Sequence, residues 1–175
     1  FDRASDQYYH ARLMSNEIVI DGISFAKKSE SLQGKIVVSS LERLREDLAS
    51  LQGEIEFRLQ GGMDGRHRPR LMLSISGQVM LTCQRCLAEL PHRLDLHSRL
   101  VLVANEAGLP DLNDEDEEAD AVVASGKMNV SDLLEEEIIL SLPLAPRHDF
   151  ECVEPSKVDE LAVSRRPFSV LGKRG

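Results

Sequence analysis

From Gly53 to Val103 apolar and polar residues alternate with a period of two. This is the signature of strands that keep one face on a core and the other in water. In EIEFRLQ, Ile55, Phe57 and Leu59 alternate with Glu54, Glu56 and Arg58. In RLMLSISGQVMLTC, Leu71, Leu73 and Ile75, then Val79 and Leu81, take one side, and Gly77 reads as a bulge. PHRLDLHSRLVLVAN continues the alternation through Leu94, Leu96, Leu100 and Leu102. GGMDGRHRP, with its glycines and proline, reads as the loop between the first two runs. Three consecutive runs joined by loops predict an antiparallel meander.

Elsewhere the period lengthens. LERLREDLASL, residues 41–51, repeats Leu41, Leu44, Leu48 and Leu51 at helical spacing. Ser39 or Ser40 would cap that helix, and Gly53 would stop it. NVSDLLEEEIILSLPLAP predicts a second helix with Asn129 as its cap and Val130, Leu133, Leu134, Ile138 and Leu142 as its apolar stripe. Pro143 and Pro146 end it. EIVIDGISFA and residues 120–124 read as further strands. The expected fold is α+β: an antiparallel β meander or a partly closed barrel-like sheet, with two short helices packed on it. Residues 1–160 form the single expected domain, and 161–175 a basic C-terminal tail carrying Arg165, Arg166, Lys173 and Arg174.

Composition narrows the picture. With 42% hydrophobic residues, 4% aromatics and no Trp, the core must be Leu, Ile and Val. No apolar run reaches the roughly 18 residues a membrane helix needs. FDRASDQYYHARLM lacks the basic-then-apolar layout of a signal peptide, and without an initiator Met it reads as a trimmed start. Three cysteines cannot all pair, which fits a reducing, bacterial-type cytoplasm. The net charge is −9, but eight acids fall between Ala104 and Asp120 with no Lys or Arg among them. That stretch reads as an acidic mobile loop over about residues 105–119, since it has little to bury. Without it the chain is nearly neutral, so an RNA partner is compatible and indiscriminate phosphate binding is not.

The candidate chemistry centres on cysteine. Cys83 and Cys86 form CQRC, and RHDFEC sets His148 four residues before Cys152. Together they make a Cys3His set of the kind that holds tetrahedral structural zinc, so one structural zinc is the cofactor this set would take. From the residues alone, CQRC is equally open to being an ordinary turn. A redox dithiol is a third reading, and an antiparallel meander is the wrong setting for it. Glu135, Glu136 and Glu137 read as a solvated helix face, because neighbouring helical positions diverge by about 100° and cannot form a matched acid/base pair. No GxSxG, P-loop, GxGxxG or HExxH is present. His67, His92 and His97 read as surface residues. Arg66, Arg68, Arg70, Arg93 and Arg99, with Arg165 and Arg166 of the tail, are candidates for meeting phosphate. Asp114, Glu115, Asp116, Glu117 and Glu118 are candidates for meeting a basic protein partner.

Three stretches together carry a resemblance: LTCQRCLAELPHRL, then EEEIILSLPLAPRHDFEC, then the C-terminal PFSVL with basic residues after it. In combination they resemble the YceD family of large ribosomal RNA subunit accumulation proteins, over roughly Gly53 to the C-terminus. The resemblance implies a non-enzymatic role in 23S ribosomal RNA accumulation and processing and in large-subunit assembly. The implied partner is ribosomal RNA or a pre-50S particle. A ribosomal protein or an RNA-processing enzyme is the alternative, with the chain acting as an adaptor.

Overall fold

In the computed structural model of the protein, residues 9–12, 18–109, 120–124 and 126–152 are described. The elements are β1 (Tyr9–Arg12), β2 (Val19–Asp21), α1 (Gly22–Lys27), β3 (Ser31–Val37), β4 (Leu48–Ser50), β5 (Glu54–Met63), β6 (Pro69–Thr82), β7 (Glu89–Val103), β8 (Asp120–Val123), β9 (Lys127–Asn129) and α2 (Val130–Ser141). The main sheet runs β1-β3-β5-β6-β7-β8, and β4 joins β6 beside it. β3, β5, β6 and β7 are mutually antiparallel, while β1 and β8 add parallel edges. β2 and β9 form a separate antiparallel pair. The α+β class and the β5-β6-β7 meander are as expected. The barrel-like alternative is not met: among the described residues the sheet path is open, with β1 and β8 as its ends.

Alternation decides what each face does. Ile55, Phe57 and Leu59 of β5, Leu71, Leu73, Ile75, Val79 and Leu81 of β6, and Leu94 and Leu100 of β7 are buried on one side. Both helices pack on that side. α2 buries Val130, Leu133, Leu134 and Ile138 in the same core, and α1 buries Phe25 and Ala26. Asn129 caps α2 as predicted, its side chain accepting from Ser131 N–H at 3.0 Å. The opposite face is mostly in water, as an antiparallel sheet allows, but Val101 near the β8 edge is buried there.

Four local expectations are corrected. Residues 41–51 are not an α-helix but 3-10 turns at Val38–Ser40 and Arg43–Glu46 followed by β4. Leu41 and Leu44 are buried, and their spacing of three suits the tighter turn as well as an α-helix. Leu48 pairs with Leu81, so the sheet edge beyond β5 takes up that backbone instead. Glu135 supplies the other reason. Its carboxylate accepts the Arg43 N–H at 3.0 Å, satisfying the start of the second 3-10 turn from another element. Gly61 and Gly62 lie inside β5 rather than in a loop. A Cβ at Gly61 would come within 2.5 Å of the Phe25 carbonyl, so this glycine marks where α1 crosses the strand. Gly77 makes no bulge: its register to Ile55 and Leu94 is unbroken, and a Cβ there would crowd the β5 backbone at 3.3 Å. EIVIDGISFA splits: among its described residues Val19–Asp21 are strand, and Gly22 opens α1. Most of the predicted acidic loop, with Asp114, Glu115, Asp116, Glu117 and Glu118, lies outside the described residues, as does the basic tail.

Candidate metal centre and a basic sheet face

The turn from β6 to β7 is CQRCLA, and it is tightly drawn. Cys83 N–H donates to the Ala88 carbonyl and Leu87 N–H to the Cys83 carbonyl, both at 2.9 Å. Leu87 adopts φ 62°, a left-handed conformation that costs a branched residue energy. The chain leaving α2 returns to this turn. Gln84 N–H donates to the Pro146 carbonyl at 2.8 Å, and the Arg85 guanidinium to the Phe150 carbonyl at 3.3 Å. Pro143 and Pro146 stop the helix, and the segment they release crosses back over the hairpin.

Those crossings bring the four predicted ligands together. One donor atom from each of Cys83, Cys86, His148 and Cys152 lies within 4.8 Å of the others. Cys83 Sγ stands 3.8 Å from Cys152 Sγ, and Cys86 Sγ 3.5 Å from His148 Nδ1. His148 Nε2 is 3.2 Å from the Glu89 carbonyl, which can only accept. The proton therefore sits on Nε2, and Nδ1 turns a lone pair toward the sulfurs, the orientation a ligating histidine takes from its outer partner.

The thiols divide. Burial raises the Cys83 thiol, but the N–H groups of Cys86, Arg85 and His148 and the Cys86 side chain outweigh it and hold Cys83 down at about 5. Burial, with the Cys86 and Cys83 sulfurs beside it, pushes Cys152 up to about 11. A site that favours one thiolate and resists the next is short of positive charge. Four soft donors in this arrangement can hold a metal ion.

The predicted cationic set is not one patch. Arg66 and Arg68 lie in the β5–β6 turn, where Asp64 accepts from both backbone N–H groups and pairs with Arg68 at 2.6 Å. Those bonds hold the Asp64 carboxyl below its usual range, the Arg68 N–H contributing most. Arg70 and Arg99 point outward at this end of β6 and β7, one step apart on the diagonal, since Arg70 registers with Val101 and Met72 with Arg99. Arg93 faces outward too, but opposite Gln78, and Asp95 and His97 stand between it and Arg99 along β7. Arg58, absent from the predicted set, belongs with the first group. It registers with Ser74, which registers with His97, so the three form one row across the face.

At the hairpin end the face carries Arg58, Arg70, Arg99 and His97 among Gln60, Met72 and Ser74. Toward the cysteines it is mixed: Glu56, Asp95 and Glu89 stand with Lys35, which pairs with Glu56 at 2.7 Å, and Arg93. The alternation in EIEFRLQ announces that Arg58 points to water, but which strand lies beside it is set by register. His92 is a smaller correction: it sits half-buried on the core side, opposite Val79. The acids of α2 correct another expectation. Glu135 is only 5% exposed, and burial raises its carboxyl against the lowering effect of the Arg43 N–H. Glu137 accepts from the Ser98 hydroxyl, leaving Glu136 as the exposed member.

A family model described as "Large ribosomal RNA subunit accumulation protein YceD" matches residues 71–171. The chain is 28% identical over 166 residues to a Haemophilus influenzae protein named "Large ribosomal RNA subunit accumulation protein YceD". That alignment covers 88% of this chain and 92% of the relative. No solved structure matches. No helix among the described residues is long and apolar enough to cross a membrane.

Proposed function

The chain belongs to the YceD family of large ribosomal RNA subunit accumulation proteins, and from that premise we propose that it is a non-enzymatic cytoplasmic factor that binds precursor large-subunit ribosomal RNA through the basic end of its open sheet face. The observation that carries this is the segregation of charge on that face. In a chain of net charge −9, Arg58, Arg70 and Arg99 gather beside Arg66 and Arg68 of the β5–β6 turn, and among the described residues of these rows and that turn Asp64 is the one acid. Phosphate contacts from such positions supply affinity without sequence reading. Arg165 and Arg166 of the tail would add to it, and Arg93 would stand at the margin. Asp114, Glu115, Asp116, Glu117 and Glu118 would meet a basic ribosomal protein on the same particle.

The Cys3His set holds one structural zinc in this reading. Zinc–sulfur bonds of about 2.3 Å and zinc–nitrogen bonds of about 2.0 Å give a tetrahedron with edges of about 3.8 Å between sulfurs and about 3.5 Å from sulfur to nitrogen. The distances from Cys83 to Cys152 and from Cys86 to His148 match those edges. Four protein ligands leave no open position, so the metal would staple the hairpin rather than catalyse.

The adaptor alternative, recruitment of a nuclease or ribosomal protein without RNA contact, loses part of its footing. The apolar stripe of α2 that would carry the contact is spent on the core, leaving Leu140 and, just past the helix, Leu144 exposed. Depleting the protein in its host and re-expressing variants tests the choice. Large-subunit RNA measured against small-subunit RNA should be restored by wild type and not by the Arg58→Glu/Arg70→Glu/Arg99→Glu chain. Restoration by that variant at equal protein level would overturn the RNA-binding reading.

A further inference from the structure

Between the arginines of the basic end, the outward positions are held by Ser31 and Gln33 of β3, Gln60 and Gly62 of β5, Met72 and Ser74 of β6 and Val101 of β7. Proteins that capture unpaired strands offer flat rings on which successive bases stack. The one ring in these rows is His97, held at its edges by Ser74 Oγ, 3.1 Å from Nδ1, and Asp95, 3.6 Å from Nε2, and a single ring gives no platform for successive bases. What the rows present instead is guanidinium groups at fixed separations with short hydroxyl and amide groups between them. Strand spacing puts Arg70 and Arg99 about 7 Å apart on the diagonal. Arg58 is two strands and two residues from Arg99, about 12 Å away.

Arg70 adds a second sign. Its side chain lies along Gly62, where a Cβ would stand 3.9 Å from Nε, and that Nε finds no acceptor among the described residues. That Nε is buried in the row Gly62–Arg70–Val101, so a phosphate arriving beside Arg99 would satisfy it only by drawing the Arg70 guanidinium outward.

Resting on the reading of this face as an RNA surface, we infer that its partner is base-paired RNA, docked by its sugar–phosphate backbone across rows Arg58–Ser74–His97 and Gln60–Met72–Arg99, rather than an unpaired strand. A paired stem hides its bases and displays phosphates and 2′-hydroxyls across a wide, shallow groove. Guanidinium groups match the first, and Ser74 and Gln60 the second. A rigid sheet fixes the spacing before the RNA arrives, which favours a partner whose own phosphates are fixed.

The test is fluorescence anisotropy of the full wild-type chain against two probes. One is a synthetic RNA hairpin with a stem of about 16 base pairs. The other is an unstructured pyrimidine RNA with the same number of nucleotides. The expected result is that the hairpin binds at least about tenfold more tightly than the strand. Arg58→Glu/Arg99→Glu should reduce hairpin affinity by about tenfold or more, while Arg93→Glu changes it less. Equal or tighter binding of the strand overturns the inference and leaves the RNA-binding reading standing. Failure of the wild-type chain to bind either probe overturns both. The probe comparison uses wild type, so it does not depend on how the variants fold.

Discussion

At the Thr82 end of β6, four donor atoms crowd within 4.8 Å of one another, and Cys83 is wholly buried. At the Pro69 end, Arg58, Arg66 and Arg99 stand exposed, held apart by strand geometry. The ends lie about 40 Å from each other along a strand of this length. The first is closed by contacts between segments more than 60 residues apart in sequence, such as Cys86 with His148 and Cys83 with Cys152. The second is made by neighbouring strands of one meander. What one end gains in cohesion it loses in access, so the cysteine end suits a staple and the arginine end suits a surface. One should answer to chelator and pH, the other to salt.

The largest effect should come from breaking the cysteine end. Cys83→Ser should abolish stoichiometric zinc by elemental analysis and lower unfolding stability in urea by about 3 kcal/mol or more. If zinc were absent from wild type, or stability unchanged, that end would be an ordinary turn. Next comes the arginine end. Arg58→Ala or Arg99→Ala should each weaken RNA binding severalfold and reduce the slope of affinity against salt by about 1. Urea stability should stay within about 0.5 kcal/mol of wild type. An arginine variant that melted like Cys83→Ser would collapse the distinction between the ends.

The pH response sharpens it further. In metal-free protein Cys83 titrates at about 5 instead of the ordinary 9.0, so its contribution is complete above pH 9, shrinks as pH falls, and is gone below about 5. Cys152, pushed up to about 11, keeps its proton in the folded chain, so stability is lost as pH rises from 9 through 11. The melting temperature of metal-free wild type, taken relative to Cys83→Ser at each pH, should therefore climb between pH 5 and 9. Parallel profiles for the two proteins would contradict the thiolate assignment. The smallest effect concerns Leu87. Its left-handed backbone is easier for glycine, so Leu87→Gly should stabilise the turn by about 0.5 kcal/mol without altering RNA affinity. A loss of stability there would mean the exposed leucine side chain makes contacts of its own.

The sequence made some of this plain and concealed the rest for physical reasons. Period-two alternation gave the three central strands and their buried face, because burial on one side is a local constraint on each strand. Asn129 and the Val130–Ile138 stripe gave α2 for the same reason. The ligand set was legible as residue types, while its closure depended on where two prolines release the chain after α2. Residues 41–51 misled because Leu41 and Leu44 fit a turn of three residues as well as a helix, and Glu135 completes that turn from a distant element. Arg58 was overlooked, and Arg93 grouped with the wrong neighbours, because facing is a property of one strand and adjacency a property of register.

The central claim, that the arginine end touches RNA and the cysteine end holds the fold, meets its most direct test in ultraviolet crosslinking inside cells, with sequencing of the bound RNA. Wild type should give crosslinks concentrated in precursor large-subunit RNA, and Arg58→Glu/Arg70→Glu/Arg99→Glu should lose them at an equal level of folded protein. Crosslinks that survive in that variant, or none in wild type, would contradict the account.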